Sequence, residues 1–183
     1  MSFQNILVDA VKDHFNKDDK DDLNPALSHA SAHSSSSGDS SLFSSALQFI
    51  KERKNAGNID NDDIDEEHAV NAHRRYEQGD GNMDSKDLGA GAALQALKLF
   101  NSGSGQETGG GQDKNAFIGM AMAQAERMWE EKNGKGEASG DKQSAVNQAA
   151  EMAFKMYLKS QMSGSGGTGG PSGLMGLASK FLK

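Results

Sequence analysis

The sequence has no cysteine, only two prolines and few aromatic residues, and it contains no long hydrophobic run. Without cysteine, a disulfide scaffold and a thiolate zinc site are excluded, because both need sulfur atoms. The longest nearly apolar stretch, Ala116 to Ala123, is far shorter than the ~20 residues of a membrane-spanning helix. Lys12 and Asp13 interrupt the early apolar run, which argues against a secretory signal. We therefore expect a soluble, cytoplasmic protein with no integral membrane association.

The formal net charge of −7 is unevenly distributed, with −8 on residues 1–67 and +1 on residues 68–183. Because an acidic front half repels phosphate backbones, no nucleic-acid partner is expected. After Glu151 the chain has four lysines and no acid, so the basic end can contact the acidic front of another copy. A solvated polar surface is the preferred interpretation of this charge pattern.

Glycine, serine and alanine make up about a third of the chain, and the glycines and serines are clustered between alanine-rich segments with helical spacing. Strand patterns are nearly absent. We predict an all-α fold of six to seven helices, arranged as a bundle or a short array of helix repeats joined by Gly/Ser-rich loops. The expected divisions are an N-terminal helix over 1–15, an acidic, Ser-rich linker over 16–41, a helical repeat domain over 42–162, a Gly-rich linker over 163–171 and a C-terminal amphipathic helix over 172–183.

A repeat with a period of 28–29 residues is the strongest internal signal. Residues 84–100, 113–129 and 141–157 align without gaps, and a fainter copy begins at Asp60. The shared columns are Asp84/Asp113/Asp141, Ala92/Ala121/Ala149, Ala96/Ala125/Ala153, Lys98/Arg127/Lys155, Leu99/Met128/Met156 and Phe100/Trp129/Tyr157. The aspartate is expected to cap each helix at its N-terminus. The two alanines form a strip of small residues against which a neighbouring helix can pack closely.

Metal binding is suggested by acidic clusters and by five histidines. Asp80, Asn82 and Asp84 occupy the first, third and fifth positions of a helix–loop–helix calcium loop, but the twelfth position is Gly91 where that loop needs glutamate. These three residues are therefore weak metal candidates, and a polar turn is the preferred interpretation. The histidine pairs His29/His33 and His68/His73 are interpreted as solvated, with the first pair placed in a loop.

Catalytic motifs are absent from the sequence. It contains no GxSxG elbow, and no glycine run ends in the GK[ST] of a phosphate loop. We expect a protein that is not an enzyme and has no cofactor.

Apolar residues on the predicted helices are the candidate interaction surface, although ordinary core is the preferred interpretation for the methionines. The candidates are Leu94, Leu97, Leu99, Phe100, Met128, Trp129, Met156, Tyr157, Leu174, Leu177 and Phe181.

Two segments carry a resemblance to a known family. Leu88–Phe100 (LGAGAALQALKLF) and Gly173–Leu182, with the Gly/Ser connectors between the repeats, resemble the fungal beta-flanking proteins. They are also similar to the non-prion N-terminal domain of the yeast asparagine/glutamine-rich prion protein. The resemblance implies a small cytoplasmic helical domain without known chemistry, and chaperone binding at an apolar helix like Leu94–Leu99. The chain lacks an Asn/Gln-rich tail, so prion propagation is not implied.

Three functional hypotheses follow. The first is a non-enzymatic helical scaffold that binds protein, most plausibly itself, because stacked helix units leave an apolar face open at their ends. The second is a calcium- or metal-responsive helix-pair protein. The third is a stress or desiccation protectant, suggested by low hydrophobicity and Gly/Ser content.

Overall fold

The computed structural model describes residues 23–35, 40–59, 64–102 and 114–163, with side chains up to residue 159. These ranges contain six α-helices and two very short strands, so the predicted all-α fold is confirmed. The elements are α1 (Asn24–His33), α2 (Ser40–Asn55), α3 (Glu66–Glu77), β1 (Met83–Asp84), α4 (Ser85–Asn101), α5 (Lys114–Gly134), β2 (Ala138–Ser139) and α6 (Lys142–Ser163). The predicted terminal helices over 1–15 and 172–183 lie outside the described residues. None of the described helices is long and apolar enough to cross a membrane.

The centre of the fold is formed by α4, α5 and α6, which all contact one another. Each of the other helices packs on this centre: α3 lies on α4, α1 on α5, and α2 on α6. The alanine columns of the repeat are fully buried, at 0% exposure for Ala92, Ala121, Ala149, Ala96, Ala125 and Ala153. The repeat therefore marks the faces through which the central helices pack, as the small-residue interpretation predicts.

Two helix pairs approach so closely that only glycine fits at the crossing. A Cβ added at Gly89 of α4 would lie 2.5 Å from the Cβ of Gln148 and 2.8 Å from the backbone oxygen of Ala145 on α6. At Gly119 of α5 it would lie 2.6 Å from the Cβ of His29 on α1. Such distances are shorter than carbon atoms tolerate, so the missing side chains set how near the backbones come.

Aspartate caps begin three of the helices. Asp84 accepts from the backbone N–H of Asp87 at 2.8 Å, and Asp141 accepts from that of Ser144 at 2.8 Å, which confirms the capping role predicted for both residues. Asp113 lies outside the described residues. The fainter repeat copy predicts a start at Asp60, but α3 begins at Glu66 and is capped by Asp65, which accepts from His68.

The connections α3–α4 and α5–α6 have the same design. Each begins at a glycine with positive φ, Gly79 (+69°) or Gly136 (+72°), and each reaches the capping aspartate five residues later. The two loops pair in parallel through β1 and β2. Lys132 joins them, because its buried Nζ donates to the backbone oxygen of Gly81 at 3.1 Å and to Glu137 at 2.9 Å.

The linker predicted over 16–41 is wrong for residues 24–33, which form α1. Ala26 and Ala30 on this helix are fully buried, and α1 packs on α5 where Gly119 leaves room for its backbone. His29 and His33 therefore lie on a helix, where the sequence predicts a loop. The short polar segment gains its helical structure from this tertiary contact, because a helix of ten residues is marginal alone.

Candidate binding cleft

Most of the described residues in the predicted interaction surface lie in the core. Leu94, Leu97, Phe100, Met128 and Met156 are buried, with exposures between 0% and 8%, so they offer no surface to a partner. For Met128 and Met156 this burial agrees with core, the preferred interpretation of the methionines. Helical spacing identifies an apolar face, but it cannot show whether that face meets a neighbouring helix of the same chain or another molecule.

The remaining candidate interaction residues are partly exposed or lie outside the described residues. Leu99, Trp129 and Tyr157 are partly buried and pack against the core. Leu174, Leu177 and Phe181 lie outside the described residues. Chaperone binding at Leu94–Leu99, which the resemblance implies, would require α4 to leave the core.

The weak metal candidates have structural roles. Asp84 caps α4, the backbone oxygen of Asn82 accepts from Arg75 at 2.8 Å, and Asp80 is exposed. His73 shares a hydrogen bond of 2.8 Å with Gln95 and is buried, so its interpretation as a solvated residue is wrong. Within the described ranges, no group of three or more His, Cys, Asp or Glu side chains is placed to hold a metal ion.

A cleft of about 230 Å³ lies where the start of α3 meets the first turns of α4 and the middle of α6. The lining residues are Ile64, Asp65 and His68 at the start of α3, Lys86 and Ala90 on α4, and Gln148, Glu151, Met152 and Lys155 on α6. On α6 the spacing of Gln148, Met152 and Lys155 places them along one stripe of the helix. The cleft therefore combines an apolar base with charged and amide groups, and this combination favours a ligand with polar groups of its own.

Glu151 is the most buried charge of the cleft. It is 6% exposed, and its two oxygens are bound by different cations. Arg53 of α2 lies 3.2 Å from one oxygen, and Lys155 lies 2.9 Å from the other. Because a buried carboxylate needs such partners, Glu151 joins α2 to α6 and has little capacity for a ligand.

His68 lies beside the ion pair of Asp87 and Arg75, and its buried Nε2 makes no hydrogen bond within the described ranges. Its Nε2 lies 3.4 Å from one oxygen of Asp87, and Arg75 donates to the other oxygen of Asp87 at 2.7 Å. A histidine and an aspartate so placed resemble an acid–base pair, but the cleft is lined by no hydroxyl or thiol group that His68 could activate. The arrangement is better suited to binding than to acyl transfer.

Two polar groups of the cleft have no partner within the described ranges. The ammonium of Lys86, which is exposed, makes no ion pair there, and the amide of Gln148 makes no hydrogen bond there. The formal charges of the lining balance, with Lys86 and Lys155 against Asp65 and Glu151. A balanced lining with a free amide matches a polypeptide backbone better than it matches a highly charged small molecule.

The cleft residues are missed by sequence reasoning because they come from three separate segments. Asp65, His68 and Lys86 look like ordinary surface residues of their own helices. The stripe on α6 is the one local signal, since Gln148, Met152 and Lys155 recur at helical spacing with polar ends.

The model of a domain of unknown function (DUF7721) matches residues 22–105. This range contains α1 to α4 and is less than half of the chain. No curated protein and no solved structure matches the chain. The matched range includes the two walls of the cleft that α3 and α4 form. The third wall of the cleft, formed by α6, lies outside the matched range.

Proposed function

We propose that this chain is a cytoplasmic, non-enzymatic helical scaffold that binds protein, including a second copy of itself, and that the partner's polypeptide lies in the cleft between α3, α4 and α6. The observation that carries the proposal is the cleft itself, with its apolar base, balanced charges and unpartnered Lys86 and Gln148. An amide side chain can pair with both the N–H and the C=O groups of a bound backbone, and Met152 can adapt its shape to a partner side chain.

The rest of the structure supports a scaffold. The helices around the cleft are held by a close-packed alanine core and by the charge pairs of Glu151, so the walls are preorganised. A preorganised site loses little conformational entropy on binding, which favours affinity from a small contact area. Neither a metal-responsive role nor a protectant role is favoured by a feature of the described residues.

Selection of a random peptide library on the full chain tests the proposal. We expect selected peptides that lose binding to Met152→Arg, which fills the cleft, and to Lys86→Glu. The matched controls are Ser31→Arg on α1, which packs on α5 and α2, and Lys51→Glu, an exposed lysine on α2. Lys51 points away from Arg53, about 200° around the helix at 100° per residue. Binding that ignores the cleft variants, or a library that yields no binder, contradicts the proposal.

Self-association is tested by sedimentation velocity across a wide concentration range. A dimer that weakens with Met152→Arg but not with Ser31→Arg supports a second copy as partner. A strict monomer at the highest concentration contradicts self-association and leaves the peptide selection to decide on other proteins.

A further inference from the structure

We propose that Met152 is a site of oxidation by peroxides, and that its sulfoxide engages the amide of Gln148 and so weakens the binding of a polypeptide in the cleft. The weakened binding rests on the proposed function, because it assumes that a polypeptide occupies the cleft. The oxidation of Met152 and the engagement of Gln148 do not depend on a partner.

Met152 differs from the other methionines whose side chains the structure describes in its access to solvent. Met152 is partly exposed and lines the cleft. The others are buried, with exposures of 4% or less: Met83, Met120, Met122, Met128 and Met156. A peroxide must reach the sulfur atom, so a buried methionine reacts only when the protein opens locally. Met152 can therefore react in the folded chain, where these buried methionines are protected.

The reaction transfers one oxygen atom to the sulfur of Met152. A lone pair of the sulfur attacks one oxygen of hydrogen peroxide, and the O–O bond breaks. The hydroxide that leaves takes the proton of the transferred oxygen and becomes water. The sulfur is oxidised by two electrons and the peroxide is reduced by them. The product is a polar sulfoxide whose oxygen accepts hydrogen bonds, whereas the thioether is a weak acceptor.

The neighbours of Met152 on α6 determine which donor the new oxygen meets. The nearest side chains on a helix lie three and four positions away. Here they are Gln148, Ala149, Lys155 and Met156. Ala149 and Met156 have no donor to offer, and Lys155 is held in an ion pair of 2.9 Å. Gln148 has an amide without a hydrogen bond in the described part of the chain, so it is the donor that the sulfoxide engages.

The sulfoxide has two effects on the cleft. A hydrogen bond to its oxygen occupies the amide of Gln148, which the proposed function assigns to the backbone of a partner. The oxygen also makes the base of the cleft polar at Met152, where an apolar side chain of a partner would pack. We expect the two effects to weaken binding about tenfold. Because sulfoxide reductases restore the thioether, the change is reversible.

Mapping of oxidation in the folded full chain tests the site. Trypsin separates Met152, in the peptide 143–155, from Met156, in the peptide 156–159. After limited treatment with hydrogen peroxide, we expect Met152 to be oxidised at least about tenfold faster than Met156, its buried neighbour one turn away. The control is the chain unfolded in urea, in which the two rates should be equal. Equal rates in the folded chain would overturn the proposal.

The engagement of Gln148 is measured without a partner. In a nitrogen–proton correlation spectrum of the full chain, the side-chain amide signals of Gln148 are identified by their loss in Gln148→Leu. Oxidation should shift these signals, and peroxide should leave them unchanged in Met152→Leu. Signals that do not move when Met152 is fully oxidised would contradict the engagement of the amide.

Peptide binding separates this inference from the proposed function. A library-selected peptide that contains no methionine should bind the oxidised chain about tenfold more weakly, and a sulfoxide reductase should restore its affinity. Met152→Leu is the matched control, because it keeps the base apolar but forms no sulfoxide, so its affinity should not respond to peroxide. Equal weakening in this control overturns regulation through Met152 while the peptide still supports the proposed function. A library that yields no binder contradicts the proposed function and the weakened binding, whereas faster oxidation of Met152 with a shifted Gln148 amide would still support the modification site.

Discussion

Alanine at the two glycine crossings tests whether close approach of the helix backbones holds this fold together. In most helices Gly→Ala stabilises by about 1 kcal/mol, because alanine has the higher helix propensity. At Gly89 and Gly119 the new methyl group would lie 2.5 Å and 2.6 Å from another Cβ, so the helices must separate. Overpacking of this kind costs about 1–3 kcal/mol. After the propensity gain is subtracted, we expect each variant to lose about 1–2 kcal/mol.

Two further glycines provide the matched controls. Gly134, at the end of α5, has nothing within 4 Å of an added Cβ, so Gly134→Ala should be neutral or stabilising by up to about 1 kcal/mol. At Gly91 the nearest atom is the flexible end of Met128 at 3.2 Å, which can move, so we expect an intermediate effect.

Urea denaturation followed by circular dichroism measures these differences in the free energy of unfolding. In a thermal melt, the Tm of Gly89→Ala should fall by about 2–8 °C. If Gly89→Ala and Gly119→Ala are as stable as Gly134→Ala, the reasoning from close approach is refuted.

Three further predictions concern charge and pH. Asp141→Ala should lower the free energy of unfolding measured in urea by about 1 kcal/mol, because the cap of α6 is lost. Hydrogen bonds from the backbone N–H and the hydroxyl of Ser144 lower the pKa of Asp141, so its stabilising contribution should be present above the ordinary pKa near 3.8 and disappear as the pH falls through the lowered pKa. A loss of stability that does not depend on pH would contradict this role. The pKa of His33 is lowered by burial and by the nearby positive charges of His29 and Arg127. Because the unfolded chain then takes up the proton first, the free energy of unfolding should fall as the pH drops below about 6.5. His33→Gln should flatten that part of the curve of stability against pH, and an unchanged slope would show that another group is responsible. Lys132→Met should destabilise the fold by about 1–3 kcal/mol, because it leaves the carbonyl of Gly81 and the carboxylate of Glu137 without their buried partner. A variant as stable as the wild type in a thermal melt would refute the role of Lys132 in joining the two loops.

Local signals predicted the central helices well. The three complete repeats correspond to α4, α5 and α6, and their alanine columns are buried throughout. The caps at Asp84 and Asp141 follow directly from their position before an apolar-periodic segment. These features depend on residues within one helix, so a single segment of sequence contains the information.

The interaction residues show where local signals stop. Leu97 and Met156 have the spacing of an amphipathic face, and so would residues of a docking surface. Both are fully buried because α4, α5 and α6 cover one another. No pattern within α4 shows that α6 lies against it, so helical spacing alone does not distinguish a core residue such as Leu97 from a residue that contacts a partner.

The sequence by itself determined the helical class, the repeat, the caps and the small-residue faces, since spacing and capping act within a few residues of each other. The tertiary structure decided that residues 24–33 form a helix, because their alanines fit against Gly119 of a segment far away in the chain. The tertiary structure also determines the position of the cleft, because its walls come from α3, α4 and α6. The buried Glu151 of the cleft is paired with Arg53 of a fourth helix, α2. Burial and charge pairing of this kind depend on which distant segments meet, and that is determined only when the whole chain packs.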